Sequence, residues 1–215
     1  LPASHPHLAR TAETRFRRSE AIFSRFDRES ELSRINQSDS AWVFVSPSMA
    51  EVLSLARHFW LKTDGLFSPF LLDALEKAGY TQSFETIFHA GGTHPPAAIP
   101  DVIVSADPQS FRIYPAQRLL ERPPGLRIDL GGIVKGWTAQ RLARYFQKEL
   151  AIPRGLINAG GDLYAWGGYT DEEHWAIGVH DPWNDGDIGL IQIRRGAVAT
   201  SGTLARRWHT PEGVQ

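Results

Sequence analysis

The run Arg127-Ile128-Asp129-Leu130-Gly131-Gly132-Ile133-Val134-Lys135-Gly136-Trp137 decides the fold, because it joins a strand end, a double-glycine turn and the start of a long helix. Beyond Gly132 the apolar residues Ala139, Leu142, Ala143, Phe146 and Leu150 recur at core spacing, and the periodicity stops before Pro153. Backbone N–H groups at a glycine turn and a helix start have no intrahelical partners, so the run suits an anion such as a phosphate. Lys135 adds a mobile positive charge. On these residues alone a second reading stands beside the first: Asp129 ends a strand, the glycines make a tight turn, and Lys135 is solvated.

Upstream of that run the chain reads as helical. Ala12, Phe16, Phe23 and Phe26 fall at helical spacing, with Arg15, Arg17, Arg18 and Glu20 on other faces, which predicts an amphipathic helix from Leu8 to about Asp27. Trp42 to Val45 reads as a short strand. Ser46 or Ser48 suits the cap of a helix whose core stripe is Met49, Val52, Leu53, Ala56, Phe59 and Trp60. A further helix is expected from Pro69 to Lys77, closed by Gly79. Residues 90–100 read as a loop, and Val102-Ile103-Val104 with Phe111-Arg112-Ile113 as a hairpin.

Downstream, strands are expected at about 155–159, 162–167, 174–179, 188–193 and 197–200, with a hairpin turn at Gly160-Gly161-Asp162. Helices first and strands last indicate an α+β fold with a largely antiparallel sheet and packed helices. The length of 215 residues favours one domain or a tightly joined pair, and a single domain over 1–215 is the expectation.

The composition, 42% hydrophobic and 22% charged, is that of an ordinary globular chain. A formal net charge of −1 gives no electrostatic reason to expect nucleic acid or an anionic membrane surface, so a polyanionic ligand must be met locally. Lysine is scarce, at 4 of 23 basic residues, which draws attention to Lys135. The absence of cysteine removes disulfides, thiolate nucleophiles and cysteine-ligated metals. No apolar run reaches the length of a transmembrane segment. His180-Asp181-Pro182 reads as a strand end and turn, and no histidine pair has the spacing of a zinc site.

Several stretches resemble one family in order. Phe23-Ser24-Arg25-Phe26-Asp27-Arg28-Glu29-Ser30-Glu31-Leu32-Ser33-Arg34-Ile35-Asn36 is similar to F-S-x-[FY]-x-x-x-S-E-[LIV]-S-R-[LIF]-N. Asp64-Gly65-Leu66-Phe67-Ser68-Pro69-Phe70 is partly similar to G-x-F-D-P-T, and Ala78-Gly79-Tyr80 stands where W-G-[FY] is frequent. The Asp129–Gly136 run resembles D-L-G-G-I-A-K-G, residues 156–163 resemble V-N-L-G-G-D-[IL], and residues 175–182 resemble W-x-[IV]-G-[IV]-x-D-P; Ala199-Thr200-Ser201-Gly202 closes the series. The family they resemble is ApbE, the flavin transferases that move FMN from FAD onto a protein threonine.

The resemblance implies an ApbE-like (T-fold-like) architecture, FAD as substrate and magnesium as the metal. It places Asp129 and Lys135 among FAD contacts, with Lys135 as the catalytic cation, and makes the Gly132 carbonyl a magnesium ligand. Phe26 takes the aromatic position beside the flavin, although its spacing from Phe23 suits core packing equally. Leu66, Phe67 and Ser68 fall where the family lines the cofactor site; Ser68 replaces the usual aspartate and Phe70 the usual threonine. Thr200 and Ser201 offer hydroxyls to a phosphate, or make an ordinary turn. Ser30 and Asn36 read as fixing the turn after the first helix.

The family's M-G-T, H-[HI]-[IL]-D-P-x-T-G and A-D-x-x-x-T segments are not found between Leu1 and Gln215. The resemblance gives those segments the remaining metal ligands, so FMN transfer by residues 1–215 alone is not expected. The acceptor implied is a flavoprotein of a membrane electron-transfer complex, and an extracytoplasmic bacterial location follows from the resemblance alone. A non-catalytic FAD-binding module and an FAD pyrophosphatase stay open as alternatives.

Overall fold

In the computed structural model, which describes residues 7–83, 86, 109–167, 173–202, 209–210 and 213–214, helix α1 spans Leu8–Phe23. It stops short of Asp27 because the Ser24 carbonyl is taken by two hydroxyls, Ser30 Oγ at 2.6 Å and Ser33 Oγ at 3.3 Å. Ser30 also caps α2 (Glu31–Gln37), accepting from Ser33 N–H at 3.0 Å. The loop expected at 90–100 and the strand expected at 102–104 lie outside the described residues.

Internal contacts group the chain into two units, one of Arg17–Val134 with Arg206–Gln215 and the other of Leu1–Phe16 with Lys135–Ala205. In the first, β1 (Trp42–Phe44) and β2 (Arg112–Tyr114) flank β3 (Leu119–Glu121), all antiparallel. The hairpin partner of Arg112–Tyr114 is thus Leu119–Glu121. Helix α3 (Pro47–Lys62) is capped by Ser46, whose Oγ accepts from Met49 N–H at 3.1 Å. It buries Met49, Val52, Leu53, Ala56 and Trp60, while Phe59, expected in that stripe, is 39% exposed. Trp60, Phe70 and Phe111 meet edge to face, at 4.9 and 5.0 Å between centroids. Strands β9 (His209–Thr210) and β10 (Gly213–Val214) form a separate antiparallel pair.

Helix α4 is Leu72–Lys77, beginning later than Pro69 because the Pro69 carbonyl accepts from Asp129 N–H at 2.8 Å instead of opening a helix. At its end Gly79 has φ +88°; its N–H reaches Glu76 O at 3.0 Å and the Tyr80 N–H reaches Leu75 O at 2.8 Å. This double closure needs the left-handed conformation that glycine tolerates.

In the second unit Leu8, from α1, clusters with Leu142, Ala143 and Phe146 of α5 (Gly131–Lys148), with Ile152, and with Tyr164 and Trp166. The last two lie on β5 (Leu163–Trp166), which is buried throughout as the central strand between β4 (Gly155–Asn158) and β8 (Gly196–Val198). The turn at Gly160-Gly161-Asp162 is present, with the Gly161 N–H donating to Asn158 Oδ1 at 2.9 Å. Strands β6 (Trp175–His180) and β7 (Asp187–Ile193) make a two-stranded antiparallel ribbon. At its tip Asp181 accepts from Trp183 N–H at 2.9 Å and Asn184 Nδ2 at 2.7 Å, bonds that hold its carboxyl below the usual range, the Asn184 bond most. Every strand pair described is antiparallel, so the α+β expectation holds. No described helix is long and apolar enough to cross a membrane.

Arg122 is 1% exposed. Its guanidinium donates to the carbonyls of Ile35 (2.7 Å) and Ser38 at the end of α2, and to Leu126 (2.5 Å). Burial lowers its pKa from the ordinary arginine value, with Asp39 opposing. Carbonyls at a helix end are short of intrahelical donors, and this cation adds to the single backbone bond that the Ser38 N–H makes to Ile35 O. Arg122→Met would remove this donor from the Ser38 and Leu126 carbonyls and leave Ile35 O with the Ser38 N–H alone; unfolding stability should fall by about 3 kcal/mol, measured as a lower urea midpoint at unchanged slope.

Candidate functional site

The start of α5 is built by residues distant in sequence. The Asn36 side chain pairs with the backbone of Ile128 on both sides, Nδ2 donating to Ile128 O and Oδ1 accepting from Ile128 N–H, each at 2.8 Å. It therefore does not fix the turn after α1, as its neighbours in sequence suggest, but carries α2 onto the segment leading to Asp129. Arg127 adds a second tether: it donates to Glu76 at 2.6 and 2.9 Å and to Asp73 at 2.7 Å, and the Glu76 bond raises its pKa most.

Held on both sides, Asp129 splits its carboxylate. Oδ1 accepts from Gly131 N–H at 2.9 Å, capping the first donor of α5, and Oδ2 pairs with Arg25 Nε at 2.9 Å. The Ile133 and Val134 N–H groups both turn to Leu130 O at 3.0 Å. That leaves the Gly132 N–H without a hydrogen-bond partner among the described residues. Gly132 is exposed, and a Cβ there would stand 3.3 Å from Phe67 Cε2.

Phe67 is itself placed by the end of α3. Asp64 and Gly65 take left-handed conformations, φ 51° and 83°, and the Thr63 hydroxyl accepts from Phe67 N–H at 2.9 Å. The ring then meets Phe59 edge-on at 6.4 Å, which explains why Phe59 is not in the core. Leu66 is 94% exposed. Ser68 Oγ accepts from Phe70 N–H at 3.2 Å, and Phe70, where the family has threonine, is an aromatic of the core rather than a polar contact.

Arg25 falls at an unspecified motif position and Tyr80 at the aromatic end of the Ala78-Gly79-Tyr80 motif, neither with a site role read from the sequence, and they complete this corner. The Arg25 guanidinium lies 4.3 Å from the Phe26 ring centroid and 4.4 Å from that of Tyr80, and its Nη1 donates to Tyr80 O at 2.8 Å. Phe26 is 39% exposed, and its ring centroid is 5.6 Å from that of Tyr80. It is a half-open aromatic wall more than a core residue. The structure thus gathers Phe26, Phe67 and Asp129 around the head of α5, with the exposed Leu66 beside Phe67 in sequence.

Lys135 is half-buried one turn further along α5, and its ammonium has no ion pair among the described residues. Thr200 and Ser201 belong to the second unit and are exposed; Thr200 Cβ lies 3.3 Å from where a Cβ of Gly161 would stand, so it packs on the β4–β5 turn.

A glycine-led helix start, an unused N–H, a fixed carboxylate and half-open aromatic rings lie at this corner; a helix start of this kind can receive an anionic group and an exposed ring face a planar one. The model of the ApbE family matches residues 3–215, and the chain belongs to the ApbE family. A Treponema pallidum protein named FAD:protein FMN transferase is 25% identical over 223 residues, covering 95% of this chain and 60% of the relative. One of the same name from Klebsiella pneumoniae is 36% identical over 95 residues, 40% of this chain and 28% of the relative. The solved ApbE protein of Thermotoga maritima superposes with a TM-score of 0.76 at 27% identity, covering 96% of this chain and 66% of that one. The flavin transferase ApbE of Vibrio cholerae shares the fold, with a TM-score of 0.71 at 23% identity over 94% of this chain and 64% of that one. The chain spans 60% or less of the length of these curated relatives.

Because Asn36 alone satisfies both backbone groups of Ile128, Asn36→Ala should destabilise the protein by about 2–3 kcal/mol, the scale of leaving a donor and an acceptor unpaired. Chemical denaturation of the two proteins checks this.

Proposed function

We propose that this chain works as part of an FAD:protein FMN transferase, holding the pyrophosphate of FAD at the start of α5 and passing FMN to a threonine of an acceptor protein. The observation that carries this reading is the free Gly132 N–H at a helix start bracketed by Asp129 and Phe67. Relatives bearing that enzyme name support the same reading. In the transfer, the threonine oxygen forms a bond to the FMN phosphorus, the bond from that phosphorus to the AMP oxygen breaks, and the threonine proton passes to solvent water. Negative charge grows on the departing phosphate, where helix N–H groups and a cation stabilise it. Lys135 supplies the cation. The acceptor is a flavoprotein of a membrane electron-transfer complex, and the setting is outside the bacterial cytoplasm.

Magnesium belongs to this proposal only through the resemblance. Helix geometry turns the Gly132 carbonyl along α5 toward Gly136, and no three histidine or acidic side chains converge among the described residues. Magnesium wants six oxygens in near-octahedral order. The described residues do not fit the ion by themselves.

Lys135→Ala should weaken FAD binding by about 1.5–3 kcal/mol, the scale of a charge-assisted hydrogen bond. Titration by flavin fluorescence reads this directly, and equal affinity in both proteins overturns the role. Gly132→Val should abolish FAD binding and transfer, since its side chain must displace the Phe67 ring and shield the free N–H. The change sits in one helical turn, so a thermal melt should still show a cooperative transition; a fully active variant would make the turn purely structural.

A further inference from the structure

Arg25 is more deeply buried than its role in packing requires. Its side chain is 6% exposed, and Nη2 has no hydrogen-bond partner among the described residues although it is shut away from water. Burying a guanidinium with an unmet donor works against stability, and an apolar side chain of similar size would fill the space beside Phe26 and Tyr80 without that cost. What an apolar residue would not do is hold Asp129. With Arg25 on Oδ2, the carboxylate keeps Oδ1 on the Gly131 N–H. That selects which donor of the helix start is consumed and which, Gly132, stays on offer.

We propose that Arg25 is a positioning residue of the ligand site: through Asp129 it fixes the donor pattern at the head of α5 that receives the anionic part of the ligand. The inference rests on the FAD reading for its ligand, and on geometry alone for its action on Asp129. Arg25 joins three separated stretches, since it follows α1, donates to the carbonyl of Tyr80 beyond α4, and pairs with Asp129 before α5. A change at Arg25 therefore reaches the site without any contact between Arg25 and ligand.

The test compares wild type, Arg25→Met, Arg25→Lys, Asp129→Asn and the Arg25→Met/Asp129→Asn double variant by FAD titration, with amide hydrogen exchange at Gly131 in the absence of ligand. Arg25→Met and Asp129→Asn should each weaken FAD about tenfold or more, the double variant no further than the worse single, and Arg25→Lys should recover part of the loss. Gly131 should exchange faster in Arg25→Met while amides of α3 keep their protection. Unchanged FAD affinity in Arg25→Met, or losses that multiply in the double variant, overturn the proposal; the second would make Arg25 a direct contact. A wild type that does not bind FAD overturns the substrate reading instead. Exchange at Gly131 then judges Arg25 without a ligand, and an unchanged rate there sinks it.

Discussion

The pairing of the Asn36 amide with both backbone groups of Ile128 is the contact on which the site depends. One side chain imitates a strand neighbour, offering a donor and an acceptor at 2.8 Å each, and so anchors a segment that has no ladder partner of its own. Asp129 follows immediately. Its carboxylate is useful only if its backbone is immobile, and the bridge from Asp129 N–H to Pro69 O adds a second point of fixation. Remove the amide and the cap on Gly131 loses its foundation.

Both arginines at this corner are taken up by carboxylates, two cations against three anions. Arg25 is matched by Asp129, and Arg127 by Glu76 and Asp73. In the proposed function an anion is met by the field of the helix start and the ammonium of Lys135, both local and short in range. A chain whose net charge is −1 has no broad basic surface to add to them.

Much of this was legible in the sequence because it is local. The periodicity of Ala139 to Leu150, the β5 strand and the glycine turn before it, and the Ser46 cap each follow from residues within a few positions of one another. The failures share a different cause. Helix α1 ends early because hydroxyls beyond it claim the Ser24 carbonyl, and α4 starts late because Pro69 is engaged by Asp129. Asn36 read as a local turn residue, yet its partner lies 92 positions away. Arg25 sits at an unspecified position of its motif, and nothing near it in sequence announces a buried partner. Periodicity and capping rules see neighbours along the chain, whereas this site is assembled from contacts between segments far apart in it.

That remoteness also sets an order of events during synthesis. Asn36 and Arg25 leave the ribosome long before Ile128 and Asp129 exist; at about 5–20 residues per second the wait is roughly 5–20 s. Closing a loop of that length costs on the order of 4 kcal/mol of chain entropy, so the clamp forms only once neighbouring packing shares the cost. In the interval Arg25 has no Asp129 carboxylate to pair with. The clamp at the head of α5 thus cannot form until well after α1 and α2 have been made.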